Sequence, residues 1–251
     1  VGSEMCIRDS SRIVSLASAM TLGLAAIMPT STMAAAYASP QPPASHWITS
    51  TNYRYPGNDG KHHAVSWDKY SYMIDDHHLN IWSGEVHYWR LPSPHQWRDV
   101  LQKMKAAGFN AVSFYFFWGY HQSAPDSPFD FSGIRNIDLL LRMAAEEGLY
   151  VIARPGPYIN AEISMGGMPA WQTNSSLPLR NAWDNTNWQQ QRAWLHAVNK
   201  IIARHQVTNG GGSVLLYQVE NEELASVGPY ADYVKKIIKA CLLYTSDAAD
   251  E

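Results

Sequence analysis

Three carboxylates lie within four positions of the sequence, directly after an apolar run. The segment is VLLYQVENEE, residues 214–223, and its acids are Glu220, Glu222 and Glu223. Alternate residues of an extended strand share a face, so Glu220 and Glu222 are predicted to point to one side and Glu223 to the other. A carboxylic acid held against apolar walls and a second carboxylate has a raised pKa, as a general acid at neutral pH requires. Spacing alone also fits the acids of a solvated loop, so both interpretations stay open at this point.

A second segment combines a tyrosine, an amide and an acid with a stiff backbone. It reads RPGPYINAEISMGG, residues 154–167. Two prolines restrict the chain at its start, and Gly166 with Gly167 lets the chain turn back. A rigid loop of this kind can present Asn160 and Glu162 to a polyhydroxylated ligand as hydrogen-bonding groups. The pattern also fits Glu162 as an ordinary solvated loop acid.

Several other catalytic chemistries lack their motifs. The sequence has no Gly-x-Ser-x-Gly elbow for acyl transfer and no Gly-x-Gly-x-x-Gly after its first strand for a dinucleotide. Adjacent histidine pairs do not have the spacing of a helical metal site. The single residues His87 and His121 fit hydrogen-bonded or sugar-contacting roles better than metal ligation. We therefore expect no metal and no organic cofactor.

Strand and helix patterns alternate from residue 64 to residue 240. Apolar and polar residues alternate around the DDHH sequence of residues 75–78, which predicts a short β-hairpin that leads into a strand. Continuous apolar strands then precede amphipathic helices, the first of which has Ser93 as its predicted cap and Gly108 after its end. Buried parallel strands that alternate with helices indicate an α/β fold.

The alternation fits either a doubly wound sheet or a (β/α)8 barrel. Several polar or aromatic residues fall just past the carboxyl ends of successive strands: His87, Trp118, Arg154, Tyr158, Asn221 and Glu222. Barrel enzymes assemble their sites at that edge. A complete barrel needs roughly 250 residues, and only about 160 remain after the first predicted barrel strand. We therefore predict only the first half of a TIM barrel, about four strand-helix units preceded by the hairpin.

Composition supports a folded domain and argues against one class of partner. The chain has 251 residues, is 46% apolar and 12% aromatic, and carries a formal net charge of -3. These values are typical of a globular core. Without a basic stripe, nucleic acid is not an expected partner. The aromatic residues fit either core packing or a cleft that binds the flat faces of sugars.

The two ends of the chain differ in composition from the sequence they flank. Residues 1–10 and 241–251 resemble translated sequencing adapter, and both cysteines, Cys6 and Cys241, fall within them. We interpret these ends as artefacts, so neither a disulfide nor a thiolate metal site is expected. Ordinary genomic sequence at both ends of the parent nucleotide contig would contradict this interpretation.

A leader and a linker are predicted before the folded domain. Residues 11–38 have the order of a signal peptide, with a basic residue, a short apolar run and small residues before the cleavage site. The apolar run is short for a membrane span, so we expect export to the periplasm or the cell exterior, and no stable membrane insertion after cleavage. Residues 39–63 are predicted as a linker or lead-in, and residues 64–240 as the truncated catalytic (β/α)8 barrel domain.

Three segments together resemble glycoside hydrolase family 35, the retaining β-galactosidases that remove terminal β-linked galactose. They are WSGEVHYWRLPSPHQWRDVLQKMKAAGFNAVSFYFFWGYH, YVIARPGPYINAEISMGGMPAW and LLYQVENEE, in this order and at appropriate spacing. The resemblance covers residues 64–240. It implies a barrel enzyme whose substrates are β-galactoside oligosaccharides or polysaccharides.

The resemblance also implies roles for individual residues. Glu222 matches the general acid/base, and Asn221 matches the amide that hydrogen-bonds the sugar 2-hydroxyl. The positions that line the galactose pocket are Tyr115, Asn160, Ala161 and Glu162. Glu220 corresponds to a buried structural acid, whereas Glu223 departs from the tyrosine that is usual in the family.

Two alternatives are weighed against this interpretation. One is a non-catalytic carbohydrate-binding barrel, and the other is a further retaining β-glycosidase of the same clan. A glutamate at the end of a seventh barrel strand in the full gene would support an enzyme, and its absence would support the binding protein. A panel that includes β-glucosides would then test the sugar preference.

We expect the chain as written to be inactive. Retention needs a second carboxylate about 5 Å from the acid/base, and the resemblance places that nucleophile near the end of a seventh strand, beyond the four predicted units. Expression of residues 37–240 and assay with a chromogenic β-galactoside should give no turnover. Turnover well above background would refute this expectation.

Overall fold

The fold is described by a computed structural model. The described residues are 4–6, 59–174, 179–180, 185–223 and 229–246. The predicted signal peptide, residues 11–38, lies outside them, as does most of the predicted linker. Of the ends interpreted as adapter, only residues 4–6 and 241–246 are described. The predicted domain boundaries therefore stay predictions.

The described residues form eight β-strands and five α-helices. The strands are β1 (Glu4–Cys6), β2 (Val65–Trp67), β3 (Tyr72–Ile74), β4 (His77–Leu79), β5 (Ser83–Glu85), β6 (Ala111–Tyr115), β7 (Tyr150–Arg154) and β8 (Val214–Val219). The helices are α1 (Pro94–Ala106), α2 (Trp118–His121), α3 (Ile137–Glu146), α4 (Asn185–Arg204) and α5 (Pro229–Ser246).

The predicted hairpin is present and is part of a larger sheet. Strands β3 and β4 pair antiparallel across a turn at Asp75 and Asp76, whose φ angles are 49° and 63°. Aspartate tolerates this left-handed conformation better than most residues because its side chain can hydrogen-bond locally. Strand β2 also pairs with β3, so the element is a three-stranded sheet rather than the two-stranded hairpin expected from the sequence.

The main sheet contains the four predicted strand-helix units. Its order is β1-β8-β7-β6-β5, in which β5 to β8 are parallel and β1 adds antiparallel to the free edge of β8. Ser93 caps α1 by accepting a hydrogen bond from the Gln96 amide, as predicted. Helix α1 packs on α3, α3 on α4 and α4 on α5. The α/β fold is confirmed, and within the described ranges the sheet is not closed into a barrel.

The amino and carboxyl ends of the parallel strands have different surroundings. Val112 and Phe114 of β6 pack into the large core shared with the helices. Ala111, at the amino end of β6, packs instead in a second cluster that includes Ile74 and Leu79 of the small sheet. The small sheet therefore covers the amino ends of the parallel strands, and the carboxyl ends are left to carry the site.

Helix α5 runs past the predicted boundary at residue 240 and ends at Ser246. Cys241 is buried, and its Sγ lies 3.0 Å from the hydroxyl oxygen of Tyr217.

None of the described helices is both long and apolar enough to cross a membrane.

A buried histidine joins the small sheet to the segment before it. His63 Nδ1 lies 2.7 Å from Asp75 Oδ2, and His63 Nε2 lies 2.9 Å from Asp59 Oδ1. Burial by itself lowers the pKa of His63. The hydrogen bonds to the two carboxylates outweigh burial, so the pKa is raised above its ordinary value of 6.5.

We predict that His63 stabilises the fold most at acidic pH. Because its folded-state pKa exceeds the unfolded value of about 6.5, its contribution is complete below that pH and is lost as pH rises through the folded-state pKa. Denaturant titration should therefore give a larger loss of unfolding free energy for His63→Gln at about pH 5.5 than at about pH 9. His95→Gln, an exposed change on α1, is the control. A loss that is equal at both pH values would contradict the prediction.

Candidate active site

Four side chains on the face of the sheet away from the helices meet at the carboxyl ends of the parallel strands. Tyr115 and Arg154 are register partners at the ends of β6 and β7, and Glu85 ends β5. Arg154 Nη1 donates to Glu85 Oε2 at 2.6 Å, and its guanidinium lies 3.7 Å from the centre of the Tyr115 ring. Gln218, near the end of β8, is buried beside them. Because side chains alternate across a sheet, this group faces away from the helices.

Asn221 connects these strand ends. It is 2% exposed, and its Oδ1 accepts hydrogen bonds from the Tyr115 hydroxyl at 3.0 Å, Arg154 Nη2 at 3.1 Å and Gln218 Nε2 at 3.1 Å. Arginine has donors only, so the amide oxygen must face Arg154 and the amide nitrogen must point elsewhere. Asn221 Nδ2 is buried and has no partner among the described residues. The described residues therefore leave one buried donor of the site without a partner.

The turn after β8 does not continue the strand. Strand β8 ends at Val219, and Glu220 and Glu222 have φ angles of 58° and 55°. The alternation predicted from an extended strand is therefore wrong. Glu220 and Glu223 both form ion pairs with Arg180, whereas Glu222 is exposed. Left-handed backbone at Glu220 and Glu222 interrupts the extended geometry on which simple alternation depends.

Glu220 is a buried structural acid, as the resemblance implied. It is 2% exposed, and its Oε2 accepts a hydrogen bond from the backbone N–H of Asn221 at 2.5 Å. Burial raises the pKa of Glu220 to about 7, and the charge and hydrogen bonds of Arg180 oppose that rise. The carboxylate that projects away from this buried pair is Glu222.

Three consecutive left-handed residues form the facing loop. Asn160, Ala161 and Glu162 have φ angles of 54°, 50° and 49°. Such backbone costs about 1–3 kcal/mol per residue and persists only where the surroundings hold it. Arg90 Nη2 donates to the Ala161 carbonyl at 2.7 Å. Gly166 closes the loop at φ 57°, where a Cβ would lie 2.0 Å from the Tyr158 ring, so the predicted glycine turn is confirmed.

The two loops bring the predicted site residues together. Asn160 Nδ2 donates to Glu222 Oε2 at 3.3 Å. Burial raises the pKa of Tyr115 to about 12; Arg154 opposes this rise, and the carboxylates of Glu85, Glu222 and Glu162 add to it. Ala161 is buried in a small cluster with Tyr115. All six predicted site residues thus lie around the carboxyl ends of the parallel strands.

Sequence reasoning missed several members of this group. Glu85, Gln218 and Arg180 were not singled out, and Arg154 was noted only as a polar residue at a strand end. Trp118, which was also assigned to that edge, is instead fully buried and stacks on Trp194 in the core. Neither motif spacing nor periodicity identifies Arg180, because its partners lie 40 residues away along the chain.

The arrangement suits acid/base chemistry beside a hydroxyl-rich ligand. Glu222 offers an exposed carboxylate, and Asn221, next to it in the chain, offers a side-chain N–H donor that no described residue pairs. Within the described ranges, no group of three His, Cys, Asp or Glu side chains is arranged to hold a metal ion.

Comparison with protein families and relatives gives a consistent result. The family model described as Glycosyl hydrolases family 35 matches residues 71–249. A protein from Aspergillus clavatus named probable beta-galactosidase C is 49% identical over 164 residues, 65% of this chain and 16% of that protein. A protein of the same name from Penicillium rubens is 39% identical over 206 residues, 82% of this chain and 20% of that protein. The chain therefore spans at most a fifth of the length of these relatives.

Two solved structures resemble the fold. A GH5_18 structure from Streptomyces cattleya in complex with GlcNAc has a TM-score of 0.53 at 18% identity, and covers 67% of this chain and 43% of that chain. An exo-beta-1,4-mannosidase from an Opitutaceae bacterium has a TM-score of 0.50 at 14% identity, and covers 67% of this chain and 30% of that chain. At such identities the likeness concerns the fold alone, and it agrees with part of a TIM barrel.

We predict that the hydroxyl of Tyr115 stabilises the site measurably. Tyr115→Phe removes one of the three donors to Asn221 Oδ1, which should lower the free energy of unfolding by about 1 kcal/mol. Chemical denaturation measures the change. Tyr70→Phe, at a side chain that is 76% exposed, should change it by less than about 0.5 kcal/mol. Equal effects of the two variants would contradict the hydrogen-bond assignment.

Proposed function

Because the chain belongs to glycosyl hydrolase family 35, we propose that it supplies the acid/base half of an exported, retaining β-galactosidase. The proposed substrates are terminal, non-reducing β-D-galactosides of oligosaccharides or polysaccharides. The observation that carries the proposal is the amide of Asn221: its oxygen is held by three donors, and its buried nitrogen has no partner among the described residues. An unpaired buried donor beside an exposed carboxylate fits a ligand whose hydroxyl lies next to the reacting bond.

The proposed reaction is a double displacement. A second carboxylate attacks the anomeric carbon, the glycosidic C–O bond breaks, and Glu222 gives its proton to the departing oxygen. Glu222 then takes a proton from water, the water oxygen bonds to the anomeric carbon, and the nucleophile is released. The nucleophile must lie about 5 Å from Glu222. Family resemblance puts it near the end of a seventh strand, outside the four parallel strands described.

The remaining site residues are proposed to bind the sugar. Asn221 Nδ2 donates to the 2-hydroxyl oxygen, a contact that strengthens as charge develops at the anomeric carbon. Asn160, which already donates to Glu222 at 3.3 Å, holds that carboxylate towards the bound galactoside. Tyr115, Ala161 and Glu162 line the pocket, and the exposed acid of Glu162 accepts from ring hydroxyls.

Export is proposed from the leader pattern of residues 11–38. A β-galactosidase outside the cytoplasm would meet galactoside polymers too large to cross a membrane. The two relatives named probable beta-galactosidase C agree with galactose as the sugar at the non-reducing end.

We predict that Glu222 variants of the full-length protein depend strongly on the leaving group. Glu222→Ala should lower kcat/KM for phenyl β-galactoside by about 10²–10⁴-fold, because the phenolate then departs without a proton. The activated substrate 2,4-dinitrophenyl β-galactoside needs no proton and should lose far less. Added azide should accelerate turnover of the activated substrate by Glu222→Ala and yield β-galactosyl azide.

The control is Glu146→Ala on α3, which removes an exposed ion pair with Arg98 of α1 and should leave the rates with both substrates unchanged. Hydrolysis of the phenyl galactoside by Glu222→Ala at the wild-type rate would remove Glu222 from the acid/base role. A wild-type protein that binds galactosides without hydrolysing them would support a carbohydrate-binding barrel instead. A preference for β-glucosides would support another retaining glycosidase.

A further inference from the structure

Arg180 lies against the turn that follows β8 and contacts the residues around Glu222. Its Nε lies 3.2 Å from Glu220 Oε1 and 3.0 Å from Glu223 Oε2. Its Nη2 donates to Glu220 Oε2 and to the carbonyl oxygen of Asn221. The guanidinium therefore holds the residues before and after Glu222, and none of its described contacts is with the Glu222 side chain.

The same guanidinium also contacts the facing loop. It lies 4.2 Å from the centre of the Tyr158 ring, a stacking distance for a cation on an aromatic face. Tyr158 is two residues before Asn160, which donates to Glu222. One side chain thus spans the two segments that supply the Asn160–Glu222 hydrogen bond.

The ion pairs of Arg180 with Glu220 and Glu223 are largely buried. The side chains of Arg180, Glu220 and Glu223 are 20%, 2% and 12% exposed. Charges removed from water in this way need partners with good geometry. A planar guanidinium can engage two carboxylates and a carbonyl at once, whereas an ammonium acts as a point charge. The left-handed backbone at Glu220 and Glu222 likewise needs surroundings that hold it.

We propose that Arg180 is a positioning residue, which clamps the turn of residues 220–223 against Tyr158 and so directs the Glu222 carboxylate towards Asn160. The proposal rests on the proposed function, since it assigns Arg180 to the alignment of the acid/base. Its effect on the reaction passes through Glu222, and Arg180 itself touches no substrate.

A purely electrostatic role is the competing account, and two variants separate the two. Arg180→Lys keeps the positive charge but loses the planar arrangement of several N–H donors. The double variant Arg180→Gln/Glu220→Gln removes the most buried pair together, so no carboxylate is left buried at position 220 without its partner. If Arg180 only neutralises charge, Arg180→Lys should behave as the wild type does, whereas the double variant also leaves Glu223 without its cation.

The kinetic test uses the full-length protein and two aryl galactosides. A misplaced acid should lower kcat/KM of the double variant for phenyl β-galactoside by about 10²-fold, with Arg180→Lys between it and the wild type. The rate with 2,4-dinitrophenyl β-galactoside, which needs no protonation, should change much less. An equal loss on both substrates, or no loss on either, would overturn the positioning role.

Hydrogen exchange tests the clamp without relying on activity. In the double variant, amides of residues 214–223 and of residues 155–167 should lose protection together, while Arg180→Lys keeps part of it. Unchanged protection in both segments would overturn the clamp. A wild-type protein with no galactoside hydrolysis would contradict the proposed function, and the exchange measurement would still decide whether Arg180 joins the two segments.

Discussion

The site depends on the three hydrogen bonds that converge on the side-chain oxygen of Asn221. They come from the ends of different strands, Tyr115 on β6, Arg154 on β7 and Gln218 on β8. Because Arg154 can only donate, the amide cannot reverse without bringing two donors together in a buried position. The strand ends, whose positions the parallel register sets, thereby fix the direction of Asn221 Nδ2. The proposed recognition of the sugar follows from that direction.

Arg180 imposes a second constraint, on the turn that contains Glu222. Three acids within four positions repel one another, and two of them are taken up by the guanidinium of Arg180. The third, Glu222, projects towards Asn160. The turn therefore separates a buried, ion-paired acid, Glu220, from an exposed one, Glu222, over two residues. This division is what the proposed acid/base role of Glu222 requires of a dense acidic segment.

Periodicity predicted the framework, and tertiary contacts determined the site. The strands and helices around Ser93, Gly108 and the apolar run of β8 follow from local patterns that hold in the folded chain. The orientation of Glu220 and Glu222 does not, because the strand ends at Val219 and the next residues adopt left-handed backbone. The left-handed run from Asn160 to Glu162 has no local signal either, since alanine and glutamate rarely adopt that conformation. The turn of residues 220–223 is held by Arg180, and the loop of residues 160–162 is held by Arg90. Both arginines lie far from these segments along the chain.

The most direct test of this account is a crystal structure of the full-length Glu222→Gln protein with a bound β-galactoside. The account predicts that Asn221 Nδ2 lies about 3 Å from the 2-hydroxyl oxygen, with the side chain of residue 222 beside the glycosidic oxygen. Arg180 should still contact residues 220 and 223. A galactoside whose 2-hydroxyl points away from Asn221 and whose glycosidic oxygen lies far from residue 222 would contradict it.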